Sequence, residues 1–588
     1  MNFLKSYFAS LLGTFSALGL LLVFFLLVIS AASALFSGDG DTLTIEKKSV
    51  LDLNLNLPLA ERNPVSDSFE EVLGLGNELL GLPELLLSIE LAAIDEDIEG
   101  ISLKAEFISA GWAQTHAVRR ALDHFKASGK FIYAYADFLS QKSYFLASVA
   151  DSIFLNPLGN LEFKGLASEV LYYGTFQEKY GAQMEVIREG NFKGAVEPFL
   201  QDEMSSENEL QIQSVLNSLW STFRQAIAIS RNLNEDAVDS IAETLGASLP
   251  EEALSQKLID GLNYENEVED KIKTRLGLEE DDEVNWVSPQ QMARTIPAYN
   301  NNIKDRVAII FANGNILYGE GSNTYIAQGK FVEAIDDAAQ DEWVKAIVLR
   351  INSPGGSALT SEIIWEALER AKAKKPLIVS IGNVAASGGY YLAAPAHQIF
   401  ADPLSITGSI GVFAILPNFH QLSENIGINA DQVRTHTNAA GYSPFEPLSD
   451  DFRAYVQKNI RKIYSTFKQR VAAGRNLSLE KVESLAQGRV WSGKEALANG
   501  LVDALGGLDE AIAAAASQAN LKEYNCIAYP RWDKDLESII NQLIPTLKYE
   551  GLLKILSLFG IEQTFADKPQ KPISSYFKTQ LPFLLKIQ

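Results

Sequence analysis

The sequence predicts two tandem α/β domains built from parallel strand–helix–strand units, preceded by an apolar N-terminal helix. Three observations predict this. The first is an internal repeat. At an offset of 246 residues, IEGISLK (98–104) falls on VKAIVLR (344–350), ALDHFKA (121–127) on ALERAKA (367–373), YFLASVADSIFLNPL (144–158) on YYLAAPAHQIFADPL (390–404), and Pro198-Phe199 on Pro444-Phe445. One gapless offset over about a hundred residues means that similar cores occur twice. The second is alternation of short apolar runs with helical patterns, the mark of a parallel sheet covered by helices. The third is a stretch from Ser6 to Gly38 without a charged residue.

Taken in order, LGLLLVFFLLVIS (18–30) is the centre of that stretch, which is long enough to span a bilayer. Lys5 precedes it, and Asp39 and Asp41 follow. This favours a single-pass anchor with the body outside the cytoplasm, at an inner or plasma membrane. Ala32-Ser33-Ala34 resembles a signal-peptide cleavage site, but the apolar run exceeds a usual signal segment, so an uncleaved anchor is preferred. The expected units are 1–40 (anchor), 45–300 (first repeat), 301–525 (second repeat) and 526–588 (a C-terminal helical extension). In the second repeat RVAIIFANG (306–314), AIVLRIN (346–352) and PLIVSIG (376–382) read as strands, with SEIIWEALERAKA (361–373) a helix between the last two. Amphipathic helices over 205–232 and 450–476 close the two copies. The apolar stripe of 536–560 reads as helix packed on the body or on a neighbour.

Length and composition exclude several classes. The chain has 588 residues, beyond one ordinary domain, and 47% apolar residues, ample for large cores. A net charge of −24 argues against a nucleic-acid partner and against broad adsorption to anionic lipid. A single cysteine, Cys526, excludes an internal disulfide framework and a cysteine-rich zinc site. The five histidines show no metal-ligand spacing, and neither a metal nor an organic cofactor is expected.

The polar differences between the copies carry the chemistry. ASGGY (386–390) becomes SQKSY (140–144), so Ser387 falls on Gln141. Lys193, in NFKGAVEPF (191–199), falls on Ala439. One copy holds a lysine without the serine, and the other holds the serine without the lysine. A serine hydroxyl needs a base before it attacks, and a lysine serves only when neutral, a state that burial favours. A surface loop is the ordinary place for a lysine, and from the residues alone a Ser-His-Asp arrangement through His420 or His436 stays open. INSPGGS (351–357) replaces AEFISAG (105–111) of the first copy. Its glycines suit a plain turn, or backbone N–H groups aimed at an oxyanion.

INSPGGS, NVAASGGYYLAAPAHQIFADP (383–403), ITGSIGV (406–412) and NFKGAVEPF together resemble the signal peptide peptidase A (protease IV) family, peptidase family S49, in its long duplicated form. The likeness runs from the N-terminal anchor to about residue 520. It implies a crotonase/ClpP-like α/β fold and a membrane-anchored serine endopeptidase that degrades released signal peptides and other apolar peptides. It implies Ser387 as nucleophile, Lys193 as general base, and N–H groups of Gly388 and of Gly355 or Gly356, the latter preferred, as oxyanion donors. Ser409 matches a serine that orients the lysine. A ring-like homo-oligomer, a tetramer, is expected, with the pairing of Lys193 and Ser387 within or between chains left open. Two other readings stand beside it: an inactive scaffold or binding subunit of a membrane assembly, and an acyl-CoA enzyme on the same fold.

Overall fold

The computed structural model describes residues 44–532 apart from residue 57, residues 63–79 and residues 296–299, together with four isolated helical positions, Gly13, Ser16, Gly19 and Leu20. The expected anchor, those four positions aside, and the C-terminal stretch from residue 533 lie outside the described residues. Among the described residues no helix is long and apolar enough to cross a membrane.

Two sheets form the frame, the first parallel and the second parallel apart from one antiparallel end strand, Val490–Ser492. The first orders its strands Gly261–Leu262, Ser152–Leu161, Phe131–Leu139, Ile98–Lys104, Ser49–Asn54 and Asn285–Val287. The second runs Val490–Ser492, Ile406–Gly408, Leu377–Ala386, Val344–Ser353, Arg306–Asn313 and Asn525–Tyr529, with Gln398–Ala401 and Ala504–Leu505 attached beside Leu377–Ala386. Its inner strands are near-continuous apolar runs because helices cover both faces. Residues 526–529 are therefore the end strand of the second sheet and not the start of a helical extension. Hydrogen bonding to Arg306–Asn313 outweighs the helical pattern that begins further on.

The helix between the last two strands begins at Ala358, three residues before the sequence reading. Its cap is Ser357, whose hydroxyl accepts from the Thr360 amide, and no capping box was needed. The closing helices Ser206–Arg231 and Asp450–Arg475 are each 26 residues long, each capped by a serine and each ended by an asparagine in the left-handed conformation. Their starts, 206 and 450, are two residues nearer than the repeat offset, so a two-residue deletion separates them from the Pro-Phe pairs.

What brings the copies together is a short antiparallel ladder. Gln183–Glu189 of the first copy pairs with Val412–Asn418 of the second, from Val412 opposite Glu189 to Asn418 opposite Gln183. Ile187 enters the core of the second copy. Leu404, Ile406 and Val490 enter the core of the first. Polar contacts pin the same junction. Asn383 accepts from the Gln114 amide (3.1 Å), so a second-copy side chain caps the first-copy helix Trp112–Ala127. A Cβ on Gly111 would fall 2.2 Å from Asn383, which explains the glycine at that helix start. His116 meets Asp402 at 2.7 Å, and the buried Arg350 meets the buried Glu61 at 2.9 Å.

Replacing Ile187 by alanine removes a buried side chain from this junction. Ile187→Ala is expected to cost about 2–5 kcal/mol of stability by denaturant titration.

Candidate active site

Ser387 follows directly on the strand Leu377–Ala386 and precedes the one-and-a-half-turn helix Gly388–Ala393. Its backbone is strained, with φ 55° and ψ −117°, a conformation that costs of order 1–3 kcal/mol in a non-glycine residue. Its amide donates to the Gly408 carbonyl (2.8 Å), fastening the turn to the next strand. A Cβ on Gly389 would lie 2.6 Å from the Ser353 carbonyl oxygen, so the turn packs directly on the end of the neighbouring strand. The small residues around Ser387 are thus needed for the approach of two backbones as much as for room at the hydroxyl.

Lys193 comes from the other copy, in the loop between the ladder strand Gln183–Glu189 and the 3₁₀ turn Gly194–Phe199. The loop lies on Gly488, where a Cβ would meet the lysine backbone at 2.7 Å, and on Gly411, where one would meet its Cδ at 3.2 Å. Its side chain is fully buried. Lys193 Nζ lies within hydrogen-bond distance of Ser387 Oγ (3.0 Å), Ser409 Oγ (2.9 Å) and the Ser409 carbonyl oxygen (3.0 Å). The Phe413 ring lies beneath it, 5.8 Å from the amine. Among the described residues no carboxylate pairs with it, and burial alone holds its pKa down to about 7. The amine is therefore substantially neutral near neutral pH and able to take a proton from the hydroxyl it touches.

Ser409 sits at φ 50° and is held by its amide to the Arg489 carbonyl (2.7 Å). Gly355 and Gly356 form the turn after Val344–Ser353, with φ of 100° and 156°. A side chain at Gly356 would strike the Ile316 carbonyl at 1.9 Å. The Gly355 amide donates to Ser353 Oγ (3.2 Å). Gly388 opens a helix, so its N–H has no intrahelical acceptor. His420 and His436 lie apart from these groups, bonded to the Phe445 carbonyl and the Thr435 hydroxyl. The structure thus brings Lys193, Ser387 and Ser409 together within one chain. Phe413, Gly411 and Gly488 complete the lysine's enclosure, and sequence reasoning missed them. Their signal lay in glycine positions whose neighbours only the fold reveals.

A buried hydroxyl in contact with a buried, largely neutral amine is an arrangement suited to nucleophilic catalysis by serine. A family model described as "Peptidase family S49" matches residues 124–279 and 369–522. The chain is 32% identical to "Protease 4" of Haemophilus influenzae over 559 residues, 91% of this chain and 90% of that one. It is 34% identical to "Protease 4" of Salmonella typhi over 79% of this chain and 76% of that one. It is 31% identical to "Serine protease SPPA, chloroplastic" of Arabidopsis thaliana over 81% and 70%. The chain belongs to peptidase family S49 and is a serine peptidase with a duplicated α/β domain.

Two expectations follow. Gly356→Ala forces a Cβ into the Ile316 carbonyl and is expected to lower kcat/KM of a peptide substrate by at least about 100-fold. Lys193→Met tests the burial. Between the folded pKa of about 7 and the ordinary 10.5, the unfolded chain holds a proton that the folded one lacks. Wild-type stability therefore rises with pH across that window, and the penalty of burying the amine is full below it. The stability of the methionine variant relative to wild type should be about 3 kcal/mol more favourable at about pH 6.5 than at about pH 9.5 in urea titrations.

Proposed function

We propose that this peptidase works through a Ser387–Lys193 dyad and degrades released signal peptides and other apolar peptides at a membrane. The observation that carries this reading is the dry amine of Lys193, 3.0 Å from Ser387 Oγ and without a carboxylate partner among the described residues. Ser387 Oγ attacks the substrate carbonyl while Lys193 Nζ takes its proton. N–H groups of Gly388 and of the Gly355-Gly356 turn hold the oxyanion, each worth roughly 3 kcal/mol. The lysine ammonium then protonates the leaving amine, and water attacks the acyl-enzyme with the lysine again as base. Ser409, through its hydroxyl and carbonyl, aims the amine. The catalytic core takes the crotonase/ClpP-like form. An uncleaved helix within residues 1–40 anchors the chain, with the body on the extracytoplasmic side.

We also read the chain as assembling head to tail into a ring-like homo-oligomer, a tetramer. The support is internal. The ladder strand 183–189 has its repeat counterpart at 429–435, and 412–418 has its counterpart at 166–172. Neither counterpart is a strand. Ile187 is buried in the second core, whereas its counterpart Val433 is fully exposed. The second-copy core that receives Ile187 includes Val412, Ile460 and Ala486, all buried. On the first copy the corresponding ground is an open cavity of about 310 Å³, lined by Leu166, Leu216, Trp220 and Ala242. A second chain offering 429–435 would fill it as the first copy fills the second. That junction would bring together Gln141 and Ala439, so it holds no dyad.

Hydrolysis of a fluorogenic apolar peptide by detergent-solubilised protein tests the dyad. Ser387→Ala and Lys193→Met should each lose at least about 1,000-fold in kcat/KM while remaining folded. In the wild type, kcat/KM should climb with pH and level off above about 7 as the lysine loses its proton. Retained activity in Lys193→Met would move the base elsewhere, and a wild type inert to peptides and to serine-directed probes would favour a scaffold. Val433→Asp should shift the solution mass toward a single chain in analytical ultracentrifugation, and an unchanged mass would remove the head-to-tail contact.

A further inference from the structure

Lys193 sits in a loop, not on a strand or helix, yet its amine must be held to within a few tenths of an ångström. The side chain that spans the gap behind it is Gln211, on the long helix Ser206–Arg231 and fully buried. Its Nε2 donates to the carbonyl of Phe192, the residue before the lysine, at 3.0 Å. The second Nε2 proton goes to Asn208 Oδ1 at 2.8 Å. Its Oε1 accepts from the Val490 amide at 3.2 Å. Val490 lies opposite Gly408 in the antiparallel pair that leads into Ser409. One amide side chain therefore ties the lysine loop of the first copy to the second-copy strand Val490–Ser492, whose partner strand Ile406–Gly408 leads into Ser409. Both of its N–H donors and its carbonyl oxygen are thus engaged.

Gln211 is itself held in place. Asn208 donates to Glu197 Oε2 at 2.6 Å, and the Tyr172 hydroxyl donates to the same oxygen at 3.3 Å. Glu197 and Asn208 are each about 1% exposed. The second Glu197 oxygen has no hydrogen-bond partner among the described residues. Gly194 lets the loop lie on this cluster, because a Cβ there would fall 2.5 Å from Asn208 Oδ1. Burying so many polar groups costs desolvation and contributes little net stability. The second copy folds without them. With the two long helices matched end to end, Gln211 corresponds to the exposed Tyr455 and Asn208 to Phe452, while Glu197 corresponds to Ser443. The polar cluster occurs in the copy that carries the lysine and is missing from the copy that does not.

We infer that Gln211, backed by Asn208 and Glu197, is a positioning residue that sets where the amine of Lys193 sits relative to Ser387 and Ser409. The inference rests on the reading of Lys193 as the base.

The test compares full-length Gln211→Leu and Gln211→Glu with wild type and Lys193→Met, measuring kcat, KM, the pH dependence of kcat/KM and thermal stability on one fluorogenic apolar peptide. Leucine matches the volume and makes none of the three bonds. It should lower kcat by at least about tenfold with KM within about twofold. Glutamate loses both donors and sets a carboxylate beside the lysine loop, which favours the ammonium. Its pH profile should move upward by about one unit. A Gln211→Leu enzyme that keeps wild-type kcat and an unmoved pH midpoint overturns the inference, whatever its melting temperature. If the leucine variant does not fold, the glutamate variant decides by its midpoint alone, and an unmoved midpoint overturns it equally. Wild-type activity in Lys193→Met strikes the dyad itself, and Gln211 then has no base to position.

Discussion

The amine of Lys193 is closed off from solvent by Phe413, by the Gly411 and Gly488 backbones and by its own loop, and no carboxylate among the described residues neutralises it. A charged group cannot stay charged cheaply in such a place, so the fold drives the lysine toward its neutral form. Much of the remaining architecture follows from that constraint. A buried neutral amine has two N–H groups and one lone pair to satisfy, and the Ser409 hydroxyl and carbonyl face the first while the Ser387 hydroxyl faces the second. Those partners sit at strand ends of the second sheet and the lysine on a loop of the first copy. The two sheets must therefore be locked together with little freedom, and the ladder between Gln183–Glu189 and Val412–Asn418 does this with main-chain bonds that depend little on side-chain chemistry.

Duplication lets a single fold supply both halves of the site, and each copy has adapted the position it does not use. Gln141 stands where the second copy has its serine. It is buried, donating to the Gly165 carbonyl (2.8 Å) and accepting from the amides of Lys164 and Gly165 (2.9 Å each). The turn that sets a serine against a buried amine in one copy is tied to its own neighbouring backbone in the other. Ala439 stands where the first copy has its lysine and lies in an exposed loop. Strain is distributed in the same way. Ser387 and Ser409 both carry positive φ in the second copy, where neighbouring backbone holds them from several sides. Strained turns of this kind persist only where the surrounding structure over-determines them.

The division between what was legible in the sequence and what was not is a physical one. Repetition, strand and helix types and the separation of Ser387 from Lys193 onto different copies all rest on local pattern, and local pattern is written in consecutive residues. The helix start at Ser357 and the strand at 525–529 escaped that reading. The first needed only the serine four residues earlier, Ser357 in place of Ser361. The second depended on a partner strand more than two hundred residues away. That the lysine and serine meet within one chain at 3.0 Å was decided by the tertiary structure, because the pairing of 183–189 with 412–418 joins segments with no mutual signature in sequence. The lowered pKa was decided there too. Desolvation is a property of what surrounds a group in space, and the residues flanking Lys193 in the chain do not include Phe413, Ser409 or Gly488.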